Sequence, residues 1–238
     1  MAISYVLCGY YINLIAITSL LVVHELGHFI TAKILDFKVS KIIVYPFGGI
    51  TKISDLINKD INQEILVAAS GVIYQFLFYL IIVYLNGKGV ISDYTMDIFE
   101  LYNSEIIFFN LLPIYPLDGA KIFNLLFSKI FNYNMANKIT VVISIFVMIG
   151  YIITNTYVHN YSYFMILSVL LSYNYKFFSK LKYIYNRFLL ERYLYNIEYD
   201  KIRVIDNPNK MYKNKTHILK INNKYMTEKK YLTKYYFN

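Results

Sequence analysis

The sequence predicts an all-α, multi-pass membrane protein with five clear transmembrane helices, a short membrane-associated β-like loop and a small cytosolic tail. Three observations lead there. Of the 238 residues, 57% are hydrophobic and only 16% are charged, against about 25% charged in ordinary soluble domains. The charges are segregated: residues 1–23 and 65–87 carry none, and 139–175 carry only His159. The basic residues fall in alternate loops, as the positive-inside rule requires. A soluble core built from so many apolar segments would leave too little polar chain to cover them.

Residues 1–9, MAISYVLCG, are too short to cross a bilayer. They read as the end of a truncated first span or as an extension of the next, and they lack the basic start and cleavage site of a signal peptide. A crossing needs roughly 20 mostly apolar residues; segments 11–32, 65–86 and 104–127 supply that length. The 37 residues from Ile139 to Tyr175 exceed one helix, and TNTYVHNYS (154–162) reads as a turn between spans at 139–154 and 161–177. A transmembrane domain therefore covers 1–178 and a basic tail covers 179–238. Within the tail, THILKINNKYMTEKKYL (216–232) predicts a hairpin turning at Asn222 and Asn223, then a helix.

All of the 24 Lys and Arg except Lys88 lie on one side of the membrane by this topology, fifteen of them from Lys176 onward. That side is the cytoplasm. The net charge of +9 thus follows from orientation and calls for no nucleic-acid partner. The tail reads as a solvated positive-inside segment, with anionic headgroups of the lipid bilayer as its other suitable partner. A lone Cys8 excludes an intramolecular disulfide.

One stretch breaks the apolar pattern. LLVVHELGHFITAK (21–34) places His24, Glu25 and His28 inside a span. Ionisable groups there are costly and mark function by default. Histidines four apart project from one face of a helix, and HExxH on a helix is a zinc-protease pattern with the glutamate as general base. Catalytic zinc takes three protein ligands and keeps one position open; it lowers the pKa of water to roughly 7. One zinc ion is therefore the expected cofactor, and a third ligand is required.

Asp118, in FFNLLPIYPLDGAKIF (108–123), is the other ionisable residue placed within an apolar span. Glu105 sits at that span's outer end, His159 in an external turn and His217 in the tail, so none is well placed. At about 1.5 Å per residue, His28 lies about 8 Å and His24 about 14 Å above Lys33, a depth that Asp118 above Lys121 can match. Pro113 and Pro116 each remove a backbone donor and predict a break just before Asp118. Irregular backbone at membrane depth is tolerated only against protein or a water-filled cavity, and hydrolysis needs such a cavity.

With HELGH (24–28) on one span and NLLPIYPLDG (110–119) on another, the chain resembles the site-2 protease family of intramembrane zinc metalloproteases. YPFGGI (45–50), ASGVIYQ (69–75) and RFLLERY (187–193) extend the likeness to its sporulation subgroup. The resemblance implies that His24, His28 and Asp118 bind zinc and that Glu25 is the catalytic base. It implies that Asn110 holds substrate or the developing oxyanion, although Leu111 follows it where the family has proline. Phe47, Gly48, Gly49 and Pro116 are implied as substrate-binding, the glycines also permitting close backbone approach and strand addition. The implied substrate is a membrane-associated protein, a pro-sigma factor, cleaved in the mother-cell membrane around the forespore. Inhibitory membrane proteins belong to the same resemblance. The subgroup often ends in a nucleotide-sensing CBS domain, and the 60-residue tail here has at most the length of one such motif.

Two other function classes compete. A zinc-binding membrane transporter would continue its ion path outward, yet residues 1–23 hold no acidic, basic or histidine side chain. A non-catalytic scaffold would have no need of an intact HExxH.

Overall fold

The computed structural model describes residues 8–45, 48–53, 57–155, 161–221 and 224–237. The fold divides into two compact units, residues 1–55 with 66–111, and residues 56–65 with 112–238.

The first unit is organised by α1 (Tyr11–Ile34), which buries Ala16, Leu20, His24, His28 and Ala32. These recur every fourth residue and so form one stripe along the helix. Small residues on such a stripe let helix backbones approach closely, which is how helices associate where lipid removes the hydrophobic drive. The helix stops because Asp36 takes a left-handed φ of 56°, and Phe37 N–H returns to Ala32 O at 2.8 Å, a C-terminal cap of known type. Phe37 is thereby folded back to pack with Ala32 and Val67. The strands β1 (Val39–Tyr45) and β2 (Gly48–Ile53) follow as an antiparallel pair. Next come α2 (Ile61–Gly87) and α3 (Asp93–Leu111). Asp60 starts α2 by accepting from Asn62 N–H at 2.8 Å and Gln63 N–H at 3.1 Å, the N-cap arrangement. Ala16, Leu20, Ile82, Ile98 and Phe99 form the apolar core shared by the three helices.

The second unit contains α4 (Asp118–Ile130), α5 (Tyr133–Asn155), α6 (Tyr161–Ser179) and α7 (Leu181–Tyr195). They are followed by β3 (Ile202–Ile205), β4 (Thr216–Ile221), β5 (Lys224–Thr227) and α8 (Glu228–Phe237). The strands form one sheet in the order β3-β4-β5, with β3 parallel and β5 antiparallel to β4. The expected tail hairpin and helix are present, with the Asn222–Asn223 turn itself outside the described residues. Phe188, Met211, Leu219 and Leu232 are fully buried at the centre of this unit's core.

The chain is mostly helical, and the expected β-like loop and tail hairpin form paired strands beside the helices. Among the described residues, three helical segments are long and apolar enough to cross a membrane: Tyr11–Ile34, Ile61–Gly87 and Tyr133–Ile153. The expected span at 104–127 is interrupted where its prolines predict a break: residues 112–117 divide it between α3 and α4.

Candidate metal centre

Two imidazoles face each other on α1. His24 Nε2 and His28 Nε2 lie 3.2 Å apart, with the rings nearly perpendicular at 81°. Both histidines are buried. His28 Nδ1 sits 2.7 Å from Val67 O. A carbonyl only accepts, so Nδ1 carries the hydrogen and Nε2 a bare lone pair. His24 Nδ1 is 3.0 Å from Gln75 Oε1, again an acceptor. With both rings neutral, each Nε2 therefore presents a lone pair of the kind a metal ion accepts.

The donor set fits zinc. Tetrahedral ligands at about 2.0–2.1 Å from the metal sit about 3.3 Å from one another, close to the observed nitrogen separation. Asp118, buried like the two histidines, is the candidate third ligand. Asp118 opens α4 directly after the proline segment. Its Oδ1 accepts from Lys121 Nζ at 2.8 Å, one turn along the helix. A carboxylate has a second oxygen with lone pairs of its own, and Lys121 does nothing to explain the facing imidazoles.

Gly71 makes the pair sterically feasible. A Cβ at that position would lie 2.4 Å from His28 Nε2 and 2.7 Å from His24 Nε2. Gly27, on α1, answers it: a Cβ there would meet Ser70 O at 2.7 Å. Only glycine allows α1 and α2 to come together at this level.

The proline segment is held from within its own unit. Ser144 Oγ donates to Pro113 O at 3.0 Å and accepts from Tyr115 N–H at 3.1 Å. Asn174 Nδ2 donates to Tyr115 O at 2.8 Å. Tyr115 also stacks on Phe177 with centroids 4.2 Å apart. Backbone freed by Pro113 and Pro116 is thus satisfied by α5 and α6 side chains, as low-dielectric surroundings demand. The Tyr115–Pro116 peptide is cis.

The remaining expected residues are placed as follows. Glu25 is buried beside His24. Asn110 lies half-buried in the last turn of α3, where its Nδ2 donates to Ile106 O at 3.0 Å. Pro116 is half-buried in the segment before α4. Gly48 and Gly49 open β2, paired with Tyr45 and Val44, and Phe47 lies outside the described residues. Glu105 is exposed, and His159 is outside the described residues. His217 is buried in the tail, bonded to Glu228 Oε2 at 3.0 Å. Sequence reasoning did not single out Gln75, Asn103, Ser144 or Asn174. Each is an uncharged polar residue, and Gln75, Ser144 and Asn174 lie within apolar runs, a real but weaker signal than a charge.

A model of Peptidase family M50 matches residues 12–95 and 89–154. Stage IV sporulation protein FB of Bacillus subtilis (strain 168) is 30% identical over 192 residues, covering 79% of this chain and 66% of that protein. A zinc metalloprotease of Methanocaldococcus jannaschii is 31% identical over 124 residues, covering 50% of this chain and 35% of that protein. The chain thus spans just under two thirds of the first relative's length and about a third of the second's. The solved structure of the site-2 protease from Methanocaldococcus jannaschii superposes with a TM-score of 0.56 at 22% identity, covering 69% of this chain and 76% of that one. That likeness establishes a shared fold.

Proposed function

The chain belongs to peptidase family M50, and from that premise we propose that it is an intramembrane zinc metalloendopeptidase. It hydrolyses a peptide bond in or near the membrane segment of a protein substrate. The observation that carries this reading is the pair of imidazole Nε2 atoms 3.2 Å apart on α1, with the buried carboxylate of Asp118 as the candidate third ligand. His24, His28 and Asp118 hold one zinc ion. Bound zinc supplies Lewis acidity and an acidified water.

Glu25, adjacent to His24 in sequence, takes the proton of the attacking water. It then returns that proton to the leaving amine nitrogen, the general acid–base role. An amide NH2 has two hydrogens, so Asn110 keeps one for the developing oxyanion while the other serves Ile106 O. The substrate backbone lies extended along the β1–β2 hairpin, near Phe47, Gly48 and Gly49, and adds a strand by main-chain bonds. Pro116 lines the same substrate path.

The sporulation relative supports a membrane-associated pro-sigma factor as substrate and the mother-cell membrane as the location. Residues 1–178 form the membrane protease domain and 179–238 a cytosolic tail. The broken α3–α4 segment and α6 complete five crossings, with the metal centre near the cytoplasmic face as the lysine distribution requires.

Glu25→Gln tests the chemistry. The variant is expected to retain zinc and to cleave a co-expressed single-span precursor about 10²–10⁴-fold more slowly. Normal processing by Glu25→Gln removes the residue from the mechanism. Cleavage by the unaltered protein that persists after a chelator has stripped its zinc removes the metal from it.

A further inference from the structure

We propose that Gln75, oriented by Asn103, is a positioning residue that fixes the tautomer of His24 and so creates one of the two metal-binding lone pairs. The inference rests on the zinc-site reading above and extends it to a residue outside the ligand set.

Gln75 is fully buried and Asn103 nearly so, so their polar atoms need partners within the protein. A buried glutamine amide has two orientations, one presenting oxygen to His24 and one presenting NH2. Asn103 decides between them. Gln75 Nε2 lies 3.0 Å from Asn103 Oδ1 and 3.3 Å from Asn103 O. Asn103 O is a backbone carbonyl and accepts only, so the atom facing it must be the NH2. Gln75 Oε1 is then left to face His24 Nδ1 at 3.0 Å. An oxygen on Nδ1 keeps the hydrogen there and leaves Nε2 with the ring's lone pair. With the amide reversed, the NH2 would point at Nδ1, favour the hydrogen on Nε2 and block metal binding.

The chain of bonds runs from Asn103 on α3, through Gln75 on α2, to His24 on α1. Gln75 and Gly71 are one turn apart on α2. The same helix face therefore opens space for the imidazole pair at Gly71 and sets its protonation pattern at Gln75. His28 obtains the equivalent partner from the Val67 carbonyl, also on α2. Both acceptors facing the histidine Nδ1 atoms, Gln75 Oε1 and Val67 O, come from a helix that supplies no ligand.

The test is zinc affinity of the full chain in detergent, read by competition with a chromophoric chelator, alongside a thermal melt of each variant. Gln75→Leu removes the acceptor and fills a similar volume. Gln75→Glu restores an acceptor, with the Asn103 amide rotated to donate to it. Partners of this kind typically change metal affinity about 10–100-fold. Gln75→Leu is expected to fall in that range, with Gln75→Glu within about threefold of the unaltered protein and the cobalt-substituted visible spectrum recovered. Equal affinity for Gln75→Leu and the unaltered protein overturns the inference while leaving the zinc site standing. Equally weak Gln75→Leu and Gln75→Glu also overturn it, because packing alone would then explain the loss. Absence of zinc binding in the unaltered protein fells the underlying reading as well.

Discussion

Two buried polar networks, one in each unit, differ in how they end. In the tail unit, Arg192 has no exposed side-chain surface. Its Nε donates to Asn58 Oδ1 at 3.0 Å. Nη1 donates to Lys215 O and Glu228, both at 2.9 Å. Nη2 donates to Tyr212 O at 2.8 Å and Lys213 O at 3.0 Å. A guanidinium has five N–H groups, and every one is matched. His217 closes the circuit: its Nδ1 faces Glu228 Oε2, and its Nε2 accepts from Tyr212 N–H at 2.9 Å. In the first unit, the chain from Asn103 through Gln75 to His24 leads instead to a ring nitrogen 3.2 Å from that of His28. A network that closes on itself specifies structure. One that leads to a pair of imidazole nitrogens orients groups that can bind a metal.

Three experiments would break or sharpen that contrast. The largest effect is expected in the closed network. Arg192→Met leaves Glu228 buried without its cation and should destabilise the tail unit by about 3–5 kcal/mol, read as faster proteolysis between residues 196 and 237. Zinc content should not change. Loss of zinc with the tail intact would show that the two networks are not separable in function.

Gly71→Ala comes next. Inserting a methyl into packed space costs about 1–3 kcal/mol, and here it falls on the two Nε2 atoms. Zinc affinity should drop by about tenfold or more, with the tail's protease resistance unaltered. Unchanged affinity would mean that the histidines do not sit against Gly71 when metal is bound.

The smallest effect is acid sensitivity of the tail. Burial pushes His217 below its ordinary value of 6.5, against the pull of Glu228. For Glu228, burial works upward, but His217 and Arg192 outweigh it and hold the carboxyl below 4.5. The unfolded tail therefore binds more protons than the folded one once pH falls below 6.5, so stability is lost on acidification. A melt series from pH 8 to pH 4 on the full chain should show the tail transition moving down progressively below 6.5. A flat profile would contradict a neutral, buried His217.

The asymmetry also explains what the sequence disclosed. His24, Glu25, His28 and Asp118 were legible because a charge inside an apolar run has few explanations. The break before Asp118 was legible because proline lacks an N–H. Gln75 and Asn103 were not singled out, since an uncharged amide in a helix is tolerated for many reasons. Arg192 was read as part of a solvated basic tail. Its burial depends on carbonyls at Tyr212, Lys213 and Lys215, and backbone carbonyls carry no sequence signal. Lys213 is likewise buried, paired at 2.6 Å with Glu64. The parallel pairing of β3 with β4 escaped because ten residues, including a short 3₁₀ turn at Pro208–Lys210, separate the two strands.

The central claim is one zinc ion shared by His24, His28 and Asp118. The direct measurement is zinc content with zinc-edge X-ray absorption on the full-length protein and on Asp118→Ala, both purified without added metal. The account predicts one zinc per chain, with two imidazoles and oxygen in its coordination shell, and a clear fall in bound zinc for Asp118→Ala. Stoichiometric zinc with an unchanged absorption spectrum in Asp118→Ala would contradict it.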